Sequence, residues 1–95
     1  MDQISGLSGN DVVCGGTGND TIFSGPDSDQ AFGQDGKDLV RGGGGADQIN
    51  GAGGADQLFG DDANDQLTGG TGTDRCNGGS GIDTASTCET RISIP

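Results

Sequence analysis

Ten of the fourteen aspartates in this 95-residue chain stand nine residues apart, as Asp2, Asp11, Asp20, Asp29, Asp38, Asp47, Asp56, Asp65, Asp74 and Asp83. A carboxylate isolated at a fixed interval, each time after a glycine-rich run, is one half of an oxygen-ligand site. Backbone carbonyls supply the other half, and the combination suits a hard cation such as calcium. A disordered acidic tail would scatter its carboxylates or run them together. All ten residues are therefore candidate metal ligands. The chain has no histidine, so no Ser/His or Cys/His pair is available for nucleophilic catalysis, and no enzyme is expected.

The interval belongs to a repeat. From Gly6 to Ser86 the chain reads GLSGNDVVC, GGTGNDTIF, SGPDSDQAF, GQDGKDLVR, GGGGADQIN, GAGGADQLF, GDDANDQLT, GGTGTDRCN and GGSGIDTAS, without insertion or deletion. Met1 to Ser5 (MDQIS) supplies the last five positions of a further unit. A short fixed period means a solenoid. Aspartate holds position six. Positions one, two and four are mostly glycine, which enters φ > 0 conformations closed to other residues and turns the loop carbonyls inward. Position eight reads Ile4, Val13, Ile22, Ala31, Val40, Ile49, Leu58, Leu67, Cys76 and Ala85. In a strand over positions seven to nine, side chains alternate, so position eight points inward and its neighbours point to water.

This nonapeptide resembles GGxGxDxUx, the calcium-binding repeat of RTX (repeats-in-toxin) proteins. The resemblance implies an all-β fold, a right-handed parallel β-roll solenoid with two nonapeptides per coil and Ca2+ between loops stacked on the same side. One side would use Asp20, Asp38, Asp56 and Asp74, the other Asp11, Asp29, Asp47, Asp65 and Asp83, and adjacent pairs would make about seven internal sites. Asp2 would extend the first row if something completed the missing half of its loop. At the usual strand spacing the stack would run about 20 to 25 Å.

Composition sets bounds on the rest. With 22 glycines, three aromatics and a net charge of -11, the chain is a single unit without the means for a conventional core. Stacked carboxylates repel without a counterion, so the metal-free chain is expected to be largely disordered and calcium binding to be coupled to folding. Only Lys37, Arg41, Arg75 and Arg91 are cationic, which excludes the basic footprint of a nucleic-acid binder. No apolar run approaches a membrane span, and no N-terminal signal peptide is visible, since Met1 begins inside a repeat.

Individual units differ. Unit three, Ser24 to Phe32, departs most: Ser24, Pro26 and Asp27 replace loop positions and Ala31 thins the core, so calcium sites using this loop are the weakest expectation. Unit seven carries Asp61, Asp62 and a non-glycine Ala63 at position four, which predicts a more acidic and more strained loop. Phe23, Phe32 and Phe59 share the outward ninth position, either as aromatic contacts along the sheet or as a surface for another chain. Residues 1–86 are thus read as the repeat domain. Residues 87–95 (TCETRISIP), with no glycine and with Ile92 and Ile94 alternating, are read as a terminating strand that caps the last coil or connects subunits.

The tail also resembles that of actinobacterial RTX-like calcium-binding proteins, in which a cysteine pair brackets the final unit. Cys76 and Cys88 are close enough in sequence to staple the tail to the last coils. The alternative is two free thiols. Cys14 is the odd one out. Three distant cysteines without histidine lack the spacing of a zinc site.

These readings point to an extracellular calcium-binding structural module that folds on binding Ca2+, secreted or at the cell surface. Two alternatives stand beside it. One is a subunit of a calcium-stabilised filament in which copies stack end to end, and the other is the calcium-folded export region of a larger secreted enzyme or toxin.

Overall fold

The computed structural model describes residues 3–6, 9–88 and 90–92, the last three by their backbone. It contains eleven strands of three residues: β1 (Gln3–Ser5), β2 (Val12–Cys14), β3 (Thr21–Phe23), β4 (Gln30–Phe32), β5 (Leu39–Arg41), β6 (Gln48–Asn50), β7 (Gln57–Phe59), β8 (Gln66–Thr68), β9 (Arg75–Asn77), β10 (Thr84–Ser86) and β11 (Thr90–Ile92). The first ten occupy positions seven to nine of their units. Each strand is short because the next glycine-rich loop begins three residues later and turns the chain back.

Odd-numbered strands form a six-stranded sheet, β1-β3-β5-β7-β9-β11, and even-numbered strands a five-stranded one, β10-β8-β6-β4-β2. All pairings are parallel. Ile22 lies beside Val40 on one sheet and Ala31 beside Ile49 on the other, a separation of two nonapeptides. One coil is therefore two units, and the chain is a parallel β-solenoid of the β-roll type, within overall dimensions of 28 × 28 × 13 Å.

Position eight faces inward from both sheets. Val13, Ile22, Ala31, Val40, Ile49, Leu58, Leu67 and Cys76 are buried in one cluster, with Ile4 and Ala85 packed against it at the ends. Positions seven and nine look outward, as the alternation requires. On the outer face of the six-stranded sheet the Arg41 guanidinium lies over the rings of Phe23 and Phe59, 6.0 and 5.8 Å from their centroids. These two phenylalanines make their contact along the sheet, with a cation between them.

The end of the chain breaks register. β11 pairs with β9 through Arg91 beside Cys76, so it arrives three residues sooner than a further repeat would bring it. A disulfide joins Cys76 to Cys88, and Cys88 completes the buried cluster. Cys14 is an exposed free thiol on β2. Asp2 and Ile94, and the side chain of Ile92, lie outside what the structure describes.

Candidate metal centre

Each position-six aspartate immediately precedes a strand, at the turn where loop becomes sheet. The solenoid stacks these residues in two columns. Asp20, Asp38, Asp56 and Asp74 lead into β3, β5, β7 and β9, while Asp11, Asp29, Asp47, Asp65 and Asp83 lead into β2, β4, β6, β8 and β10. All but Asp11, which is half-buried, are at most 3% exposed. Asp2 lies outside the described residues.

The two oxygens of each carboxylate have different surroundings. Oδ1 accepts a hydrogen bond from the backbone N–H of the aspartate one coil earlier: Asp11 N–H donates to Asp29, Asp20 to Asp38, Asp29 to Asp47, Asp38 to Asp56, Asp47 to Asp65, Asp56 to Asp74 and Asp65 to Asp83, all at 2.7–2.8 Å. Oδ2 of Asp11, Asp29, Asp38, Asp47, Asp56, Asp65 and Asp83 is buried and accepts no hydrogen bond. An anionic oxygen withdrawn from water without a partner is costly, so its recurrence along both columns calls for a cation.

The glycine at position one shows what lies around Oδ2. A Cβ built on Gly33 would stand 2.8 Å from Asp38 Oδ2 and 3.2 Å from the Gly51 carbonyl oxygen; on Gly51 it would stand 2.5 Å from Asp56 Oδ2 and 3.0 Å from the Gly69 carbonyl. The unpartnered carboxylate oxygen and the carbonyl of the next coil thus border one small space. Position one is not left-handed: positive φ falls at positions two and four. The expected φ > 0 role for position one is thereby corrected, since glycine is needed there for room. At position four both needs coincide, because Gly36 and Gly54 have φ of 107° and 97° and a Cβ on either would collide with the carbonyl of the preceding coil. Asp27 and Ala63 nevertheless hold φ of 77° and 74° at that position, which places strain in loops three and seven.

The donor set is all oxygen, carboxylate and carbonyl, and fits a hard cation such as calcium. Among the described residues no three His, Cys, Asp or Glu side chains cluster as a metal-binding group. An ion needing six to eight oxygens would therefore draw most of them from the backbone. Electrostatics agree with the need for a counterion. Burial, above all, pushes Asp47, Asp56 and Asp65 up to about 7; the backbone hydrogen bond each receives pulls the other way, and the carboxylate of the preceding coil pushes upward again. Asp38 is raised for the same reasons.

Two features were not legible in the repeat. Asn10, Asn19 and Asn64, at position five, accept hydrogen bonds from the backbone N–H of Ser28, Lys37 and Ile82 one coil later, at 3.1, 2.8 and 2.7 Å. This ladder runs opposite to that of the aspartates, and its only trace in the sequence is the recurring Asn-Asp pair. In the acidic seventh loop, Arg41 holds Asp61 at 3.1 Å, so that carboxylate has a cation from the protein itself.

No curated protein and no solved structure matches the chain. The family model for the RTX calcium-binding nonapeptide repeat matches residues 2–22, 23–58 and 50–85. With most of its length matched and its parallel coils carrying stacked, half-satisfied aspartates, the chain belongs to the family of RTX calcium-binding nonapeptide repeats.

Proposed function

We propose that this chain is an extracellular calcium-binding structural module whose folding is driven by the ions it binds. The observation that carries the reading is the row of buried Oδ2 atoms, on Asp29, Asp38, Asp47, Asp56, Asp65 and Asp83, that no hydrogen bond satisfies. Ca2+ between successive loops would be held by these aspartates together with Asp11, Asp20 and Asp74 and by loop carbonyls, at about one ion per adjacent pair. Calcium would supply the positive charge that lets the columns stack. At low calcium the carboxylates repel and hydrate, and the chain is disordered; at the millimolar calcium typical outside cells the sites fill and the coils close. A fold made of repeats, loops and one narrow apolar column supports a role in structure.

The test is a calcium titration followed by circular dichroism, with magnesium as the control. A cooperative gain of β-structure at millimolar calcium, absent with magnesium, is expected. An unchanged spectrum would overturn the reading.

A second reading is favoured by the strand order. β1 and β2 are the outer strands of the two sheets at the same end of the stack, and their outer backbone edges point along the solenoid axis. A second copy stacking its far end there would make a heterologous contact that does not close, and so a filament. Electron micrographs at saturating calcium distinguish filaments from single modules.

A further inference from the structure

Loop three has the least regular sequence of the nine, and the structure gives its first residue an unusual position. Ser24 stands where the described coils otherwise place glycine, yet its backbone keeps the register: Ser24 N–H donates to the Arg41 carbonyl at 2.9 Å, as Gly15 N–H does to Phe32 at 2.8 Å. Ser24 is fully buried, and its hydroxyl oxygen has no hydrogen-bond partner. Asp29 Oδ2, in the same loop, is in the same condition.

The neighbouring coils show where a side chain at position one goes. A Cβ on Gly6 would stand 3.1 Å from Asp11 Oδ2 and against the Ser24 carbonyl; on Gly42 it would meet Asp47 Oδ2 and the Gly60 carbonyl. By that repeat, the Ser24 side chain enters the space bordered by Asp29 Oδ2 and the Gly42 carbonyl. A methyl group would crowd this space just as the Ser24 Cβ does, since the other coils keep glycine there for room. The hydroxyl instead adds a third oxygen to it, and an unpartnered buried hydroxyl is destabilising unless something else binds it.

We propose that the Ser24 hydroxyl is an additional oxygen donor to a cation held between loops three and five, so that this site has a side-chain ligand which the glycine loops lack. The proposal rests on the calcium reading above. It reverses the expectation drawn from sequence, because the substitution that makes loop three irregular strengthens its site. Calcium affinity follows the number and kind of oxygen donors, and a neutral hydroxyl adds a donor without adding to the repulsion between columns.

The test uses the full chain as wild type, Ser24→Ala and Thr17→Ala, the last removing an exposed hydroxyl from a neighbouring loop. Calcium binding is measured by equilibrium dialysis, terbium hydration by luminescence decay in H2O and D2O, and metal-free stability by urea titration under conditions where the wild type retains structure. For Ser24→Ala we expect one site weakened by about tenfold, an additional water on bound terbium, and no loss of metal-free stability, while Thr17→Ala matches the wild type. Calcium binding and terbium hydration unchanged in Ser24→Ala would overturn the proposal and leave the calcium reading standing. An equal loss of stability with and without calcium would also overturn it, by making Ser24 a packing residue. Failure of the wild type to bind calcium would overturn both.

Discussion

Two kinds of buried column run the length of the solenoid, and they act on its stability in different ways. The apolar column of position eight, from Val13 to Cys76, is complete once the coils stack, since each side chain meets its neighbours and excludes water. The carboxylate columns of position six are buried as deeply but only half satisfied, with Oδ1 bonded to the backbone of the preceding coil and most Oδ2 atoms bonded to nothing. The same burial that stabilises Leu58 therefore destabilises the ionised Asp56 two residues before it. The apolar column makes the fold definite, while the carboxylate columns carry buried charge that a bound cation would balance.

The sharpest way to separate the columns is to remove the ion. Chelation is expected to unfold the chain, with β-structure lost in circular dichroism at neutral pH while the apolar column remains intact in sequence. Survival of the full spectrum would place the stability in the apolar column alone.

Leu58→Ala attacks the other column at a fully buried position and should cost about 2 to 5 kcal/mol in the calcium-loaded protein, read from denaturant midpoints. The calcium needed to fold the variant should rise accordingly.

Reduction of Cys76–Cys88 acts at the end of the apolar column, where a closed loop with a sequence separation of 12 ties Cys88 into the core. The chain-entropy account gives a loss of up to about 3 kcal/mol. Hydrogen exchange should show it confined to β9, β10 and β11, and uniform loss along the solenoid would contradict a local staple.

Asp56→Asn dissects one carboxylate. The amide oxygen can still accept from Asp38 N–H, but the charge is gone. The calcium midpoint should rise about tenfold, or about 1.4 kcal/mol, while metal-free folding becomes easier. A variant less stable in both states would mean that Asp56 serves packing alone.

Acid should have the same two-sided effect. Burial raises Asp47, Asp56 and Asp65 to about 7 in the folded chain, above the ordinary carboxylate value near 4 that they have when unfolded. Their contribution to metal-free folding is thus full below about pH 4 and is lost as pH rises towards 7. Circular dichroism without calcium should gain β-structure on acidification through that window. With calcium, protons compete for the same oxygens, so the midpoint should move to higher calcium as pH falls below 7.

Much of this architecture was legible because it is local. Strand alternation put Ile22, Val40 and Leu58 inside, and an unbroken period of nine placed every described position-six aspartate at the same turn. The strain at Asp27 and Ala63 was also readable, since each replaces glycine at a position that must be left-handed. The tail was less so. Its cysteine pair was expected, but the early arrival of β11 was not, because no repeat governs residues 87–95 and the register there answers to the disulfide and the sheet edge.

The sequence by itself determined the period, the inward face, and the carboxylate at each loop's end, all consequences of backbone geometry within nine residues. Tertiary structure decided what each residue meets 18 positions away. Only the stacked coils show that one carboxylate oxygen is used and the other is not, that the first glycine is needed for room, and that Ser24 buries a hydroxyl beside Asp29. The physical reason is that these are contacts between coils, and their distances are set by the hydrogen-bonded rise from one strand to the next.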